Sequence, residues 1–243
     1  MLKVTTSWDD GDILDRRLAL LLSRYNVKGT FYVSKSYRPE RLSDLDIEII
    51  TKTHEIGAHT LTHPDLRTLS SAEQKNEILG SKKWLEEITH SEVKMFCYPK
   101  GRYNESAVSV VGDAGFLGAR TTEVDTATTS PNPYLLGTTV QVYPFPFRKL
   151  NEKKYYWGRI LQPYMQRSSK LRAIGIPISA MYSWQVMVRA VFDIKLARGG
   201  VFHLWGHSWE IEKYGMWDEL EKFLKYIEGR KGCVFLTNSE LLS

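Results

Sequence analysis

Short runs of β-branched and apolar residues alternate with longer amphipathic stretches through the first half of this chain, and that alternation constrains its fold more than any other feature. Residues 2–8, 29–34, 93–98 and 116–121 read as strands, each bounded by glycine, proline or polar residues. The 3.6-residue spacing of apolar positions predicts helices over 13–25, 46–54, 71–88 and 105–114. Leu14, Leu18, Leu21 and Leu22 form one stripe, and Ser70 and Glu73 stand as a capping box ahead of the third helix. Strands alternating with helices call for a parallel sheet covered by helices. At 243 residues, a single α/β domain built as a distorted (β/α) barrel is the expected class. In such folds the chemistry gathers where the strands end.

Two motifs fall at those ends. Asp9 and Asp10 follow the first strand and precede Gly11. Neighbouring carboxylates on a strand point in different directions, so one can ligate a cation while the other stays free as a base. A solvated Asp-Asp-Gly turn is the bland alternative. His59 and His63 follow a short strand-to-turn passage, Glu55-Ile56-Gly57-Ala58, and Pro64 ends the pattern. Four residues apart, the two imidazoles share a face if the backbone there is helical. Two histidines and one aspartate with an open fourth position make the donor set of a catalytic zinc site. Further on, alternation along Val201–Glu210 places His203, Trp205 and His207 on one face. His207 stands at the strand end, whereas His203 is about 13 Å deeper, where a hydrogen-bonded core histidine is the plainer account.

The middle of the chain is less regular. Residues 126–146 hold Pro131, Pro133, Pro144 and Pro146 and read as a long loop. Tyr143, Phe145 and Phe147 alternate along it, as strand core does and as sugar-stacking aromatics can. Helices are expected at 155–172, at 180–197 (with Met181, Trp184, Val188, Val191 and Phe192 inward) and at 216–227, before a closing strand at 233–236. The charge balance of 33 basic and 28 acidic residues is mild, and without a concentrated basic stripe it argues against nucleic acid as a partner. Basic residues do gather in 148–154 and 159–172, which suits either an anionic substrate or an ordinary solvated helix face. Cys97 and Cys233 make no disulfide framework. No apolar leader and no stretch of membrane-spanning length is visible, so a cytoplasmic location is expected.

Ser7-Trp8-Asp9-Asp10-Gly11, His59-Thr60-Leu61-Thr62-His63 and Phe96-Cys97-Tyr98-Pro99-Lys100-Gly101 occur in the order and approximate spacing of the polysaccharide deacetylase (NodB-homology) carbohydrate esterases, and the chain resembles that family over residues 2–125 and more loosely over 199–242. The resemblance implies one domain over 1–243 with an unmatched insertion around 126–198. It also implies an N-acetylated sugar or glycan as substrate, and a divalent transition metal, zinc most simply, on Asp10, His59 and His63. Asp9 would be the general base and His207, or alternatively His203, the general acid. The backbone N–H of Lys100 would serve the oxyanion, with Tyr98, Pro99 and Trp205 beside the substrate. Two departures stand out. The family's third motif often begins with an arginine that pairs with the base, and Cys97 occupies that position, with Arg102 nearby in sequence. The acidic residues that steer the acid histidine are missing in their usual form, leaving Glu123 and Asp125 as substitutes. A ring-opening amidohydrolase acting on a cyclic amide, or a non-catalytic glycan-binding module, would use the same fold; the joint presence of Asp9, Asp10, His59 and His63 speaks against the latter.

Overall fold

The computed structural model describes residues 1–124, 132–148 and 157–243. Asp125, Pro131 and the 149–156 part of the expected basic cluster and helix lie outside the described residues. The domain is α/β. Its strands are β1 (Leu2–Asp10), β2 (Thr30–Val33), β3 (Glu55–Ala58), β4 (Met95–Cys97), β5 (Gly118–Val124), β6 (Leu136–Thr138), β7 (Val140–Gln141), β8 (Gly200–Gly206) and β9 (Cys233–Leu236). They pair in parallel in the order β6-β5-β4-β3-β2-β1-β8-β7.

The two ends of that order are consecutive in sequence. β6 pairs with β5 and β7 with β8, and between them the N–H of Thr139 donates to the His203 carbonyl at 2.9 Å. One extended segment therefore changes partner at Thr139 and nearly closes the sheet into an eight-stranded barrel. Residues 136–138 and 140–141, expected as part of a loop because prolines stand on either side, are strand: the Thr and Val residues there suit a pleated backbone and pair with β5 and β8. The ninth strand supports the barrel from one end. β9 pairs with Leu2–Thr5 of β1, and β2 takes over that edge from Ser7 onward.

Helices α1 (Asp15–Arg24), α2 (Asp44–Ile50), α3 (Ser71–Thr89), α4 (Glu105–Asp113), α5 (Trp157–Ala173), α6 (Trp184–Arg198), α7 (Ser208–Tyr214), α8 (Trp217–Ile227) and α9 (Asn238–Leu242) complete the chain. The capping box at Ser70 and Glu73 forms as expected, and Leu18 and Leu22 of α1 and Leu220, Phe223, Leu224 and Ile227 of α8 are fully buried. α6 starts at Trp184 and not at Ala180, because the Ser183 hydroxyl caps the Val186 N–H and a separate 3-10 turn precedes it. Short helices α7 and α9 carry too few apolar positions to show a period. Among the described residues, no helix is long and apolar enough to cross a membrane.

Candidate metal centre and active-site cavity

The C-terminal ends of the strands surround a cavity of about 440 Å³ whose lining includes Asp9, Asp10, His59, His63, Lys100, Trp205 and His207. Consecutive strand residues ordinarily face opposite sides. Asp10 instead adopts φ 84°, which swings its carboxylate to the cavity that Asp9 already faces. Thr60, His63 and Lys100 also have positive φ, at 67°, 59° and 58°. Such backbone costs about 1–3 kcal/mol per residue and persists where the surroundings fix it.

The histidine pair is not helical. Left-handed residues at Thr60 and His63 fold the loop back, the Thr60 hydroxyl accepts the His63 N–H at 3.0 Å, and Glu77 of α3 accepts the N–H groups of Leu61 and Thr62 at 2.8 and 2.9 Å. The rings meet at 4.8 Å between centroids, and His63 stacks on Tyr37 at 3.9 Å. Asp10 Oδ1 lies 3.6 Å from His59 Nε2 and 3.4 Å from His63 Nε2, yet it is buried with no hydrogen-bond donor. Ligand atoms about 2.0–2.1 Å from a tetrahedral zinc stand roughly 3.3 Å from one another, so these spacings fit a divalent ion between the three donors. The outer contacts orient them. His59 Nδ1 is 2.7 Å from the Cys97 carbonyl, and Trp209 Nε1 donates to Asp10 Oδ2 at 2.8 Å. Burial pushes the Asp10 carboxyl up, but the His59, His207 and His63 imidazoles grouped around it hold it well below the usual range. Burial and the His59 charge push His63 down to about 3, leaving it neutral as a metal donor must be. A second grouping, Asp9 with His59 and Cys97, is also compact. It fits less well, because burial raises the Cys97 thiol and the His59 nitrogen next to residue 97 is engaged by its carbonyl.

Asp9 has a separate set of partners. Its Oδ1 is ion-paired with Arg120, a fully buried residue of β5. Arg120 is the direct cross-strand partner of Cys97 in the β4–β5 register. An arginine paired with Asp9, absent from the third motif itself, is thus supplied one strand over, from β5. Burial works to lower the Arg120 guanidinium, but the charge of Asp9 holds it above its ordinary value. Arg102 pairs instead with Asp65, and more than half of its side chain is exposed. Asp9 Oδ2 accepts a long contact from the Cys97 thiol at 3.9 Å and lies 3.9 Å from His207 Nε2.

His207 is the residue just before α7, and its Nδ1 is 2.6 Å from Glu210 Oε2. Burial pushes the imidazole down, while Glu210, Asp10 and Asp9 raise it to about 9. Glu210, not Glu123, fills the acidic role beside the histidine; Glu123 accepts from the Tyr103 hydroxyl. The i, i+3 spacing of His207 and Glu210 was the available signal. For Arg120 it was a charge inside an otherwise small and apolar strand run. His203 is a core histidine: its Nε2 is 2.8 Å from Ser7 Oγ and its Nδ1 3.2 Å from the Gly137 carbonyl, and burial pushes it down to about 3. Lys100 and Trp205 line the cavity. Tyr98 and Pro99 do not, since the Tyr98 ring is buried in the core with its hydroxyl on the Tyr134 carbonyl, and Pro99 is buried beneath the turn. Tyr143 and Phe145 line the cavity, whereas Phe147 is exposed.

Comparison with known proteins agrees with this geometry. Residues 3–119 match the family model "Polysaccharide deacetylase". The Bacillus subtilis protein described as "Putative polysaccharide deacetylase YxkH" is 28% identical over 137 residues, 55% of this chain and 49% of that protein. A peptidoglycan-N-acetylglucosamine deacetylase of Bacillus cereus is 26% identical over 117 residues, 47% of this chain and 42% of its own length. The chain spans about half the length of these curated relatives. In structure it is similar to a "putative polysaccharide deacetylase" from Mycobacterium smegmatis, with a TM-score of 0.70 at 17% identity, covering 99% of this chain and 88% of that one. On the matched motifs and the shared barrel, this chain belongs to the polysaccharide deacetylase family.

Proposed function

We propose that this protein is a metal-dependent N-deacetylase that removes the acetyl group from an amino sugar in a glycan or sugar conjugate. The observation that carries the reading is Asp10 Oδ1, buried without a donor at 3.4 and 3.6 Å from two imidazole nitrogens, with Asp9 and His207 beside it. Asp10, His59 and His63 would hold a divalent transition metal, zinc most simply, which when bound lowers the pKa of water and polarises an amide carbonyl. Arg120 occupies Asp9 Oδ1 and fixes the plane of the carboxylate, so Oδ2 faces the cavity and takes the proton of the attacking water. Glu210 holds His207 through Nδ1, which leaves the Nε2 proton to be given to the leaving amine. With its pKa raised to about 9, His207 carries that proton at neutral pH. The backbone N–H of Lys100, in the turn that lines the cavity, serves the oxyanion, and Trp205 offers a flat face to the sugar ring. Water adds to the amide carbon, the C–N bond breaks, and acetate and the free amine leave.

The test is acetate release from a panel of N-acetylated mono- and oligosaccharides, with metal content measured before and after chelation. Release that disappears with the metal and returns on its restoration is the expected result. No metal uptake on titration would sink the reading and favour a cyclic-amide or non-catalytic relative.

A further inference from the structure

The half of the cavity away from Asp10 is built by β7, the segment after it and α5, and its charge has no counterpart in the chemistry above. Arg167 and Lys170 of α5 line it with Gln141 and Tyr143. The Arg167 guanidinium sits 5.4 Å from the centre of the Tyr143 ring, and Arg148 approaches the same ring at 5.3 Å. Two guanidinium groups on one aromatic ring repel each other, and no Asp or Glu among the described residues stands within ion-pair distance of either. Arg167 donates to the neutral amide oxygen of Gln141. Arg148 Nε is buried with no partner among the described residues. The nearest acid in this network, Glu210, is one residue removed: Gln141 Nε2 donates to its Oε2 at 3.3 Å, and that same oxygen is held by His207. Burial, with a smaller push from Arg148, lowers Arg167 to about 10 despite the opposing influence of Tyr143 and Glu210, so it remains a cation at neutral pH at an electrostatic cost that an anion would relieve.

We propose that this wall is an anion subsite, in which Arg167, backed by Arg148 and flanked by Lys170, binds a carboxylate or phosphate carried by the substrate next to its N-acetylated sugar. The inference rests on the deacetylase reading for the sugar and on the basic wall for the anion. Guanidinium is the side chain best shaped for either group, because its planar fork meets two oxygens at once. The subsite is wired to the acid histidine through Arg167, Gln141, Glu210 and His207, so its occupant lies within one hydrogen-bonded path of the leaving amine.

Calorimetric titration of the metal-loaded protein with N-acetylglucosamine, N-acetylmuramic acid and N-acetylglucosamine 1-phosphate tests this. At least one anionic sugar should bind about tenfold or more tightly than the neutral one, and raised salt should shrink the difference. The better of the two anions identifies carboxylate or phosphate as the group recognised. Arg167→Gln should bring the anionic-to-neutral ratio close to one with metal content and circular dichroism unchanged, while Arg167→Lys should retain part of the preference. Equal affinity for all three ligands in the wild type, or an unchanged ratio in a folded Arg167→Gln variant, would overturn the proposal. The deacetylase reading fails separately, if metal-loaded protein binds these sugars with the expected preference but releases acetate from none.

Discussion

The two walls of the cavity are built on different plans. The metal wall, at the end of β1 and in the loop after β3, packs its donors into two short sequence motifs and fixes them with positive-φ backbone at Asp10, Thr60 and His63. The acid wall, made by β7, β8, α5 and α7, joins Gln141, Arg167, His207 and Glu210 through side-chain hydrogen bonds between residues up to 69 positions apart. One wall is set by backbone conformation and tolerates little. The other is set by a chain of polar contacts and can be tuned one link at a time. Metal content should therefore report on the first wall, and rate or pH dependence on the second.

The largest effect is expected at the metal wall. His59→Ala should lower metal affinity by more than the roughly 100-fold that loss of an outer hydrogen-bond partner costs, and activity should fall with it. Full metal content in that variant would break the division. Asp9→Asn sharpens it from within β1: metal should stay bound while turnover drops about 10²–10⁴-fold, as for loss of a general base. Asp10→Asn should instead lose metal, with part of the activity restored by excess metal. If the two variants exchanged these behaviours, the roles of the neighbouring aspartates would be reversed.

Trp209 tests where the division leaks. It belongs to α7, yet its indole donates to Asp10 Oδ2. Trp209→Phe should cost about 10–100-fold in metal affinity measured by competition with a chelator. The smallest change concerns pH. In the proposed mechanism His207 is the acid and must carry its proton, and Glu210 helps raise it to about 9 against the opposing effect of burial. Removing that charge in Glu210→Gln lowers the His207 pKa, so the alkaline limb of the kcat profile should move to lower pH while metal content is unchanged. A limb that stays in place would remove Glu210 from the tuning of the acid.

The same contrast explains what the sequence could disclose. The order of strands and helices and the candidate metal donors are local patterns, carried by 3.6-residue and two-residue spacing and by motifs of five or six residues. The i, i+4 spacing brings the His59 and His63 imidazoles together without the helical backbone that would do so most simply, because spacing does not encode the sign of φ at Thr60 and His63. Arg120 was hidden for a different reason. Its nearness to the third motif exists only in the β4–β5 register, where it stands beside Cys97 on the neighbouring strand. The strands at 136–138 and 140–141 were hidden because they are short and lie between prolines, and their partners are in β5 and β8.

The position of β1 has a consequence for how the chain comes to its final form. Its C-terminal half, which bears both aspartates, is flanked by β2 and β8, and Ser7 meets His203 across 196 residues of sequence. At a ribosomal pace of about 5–20 residues per second, roughly 10–40 s separate the synthesis of those two partners. Through that interval one edge of β1 has no neighbour, and the carboxylates have β2 but neither the histidine nor the indole that will face them. Long-range pairing of this kind is also the slow class of folding event. The strand that bears both aspartates is thus among the last to be completed, and Asp9 and Asp10 meet His207 and Trp209 only once β8 has joined it.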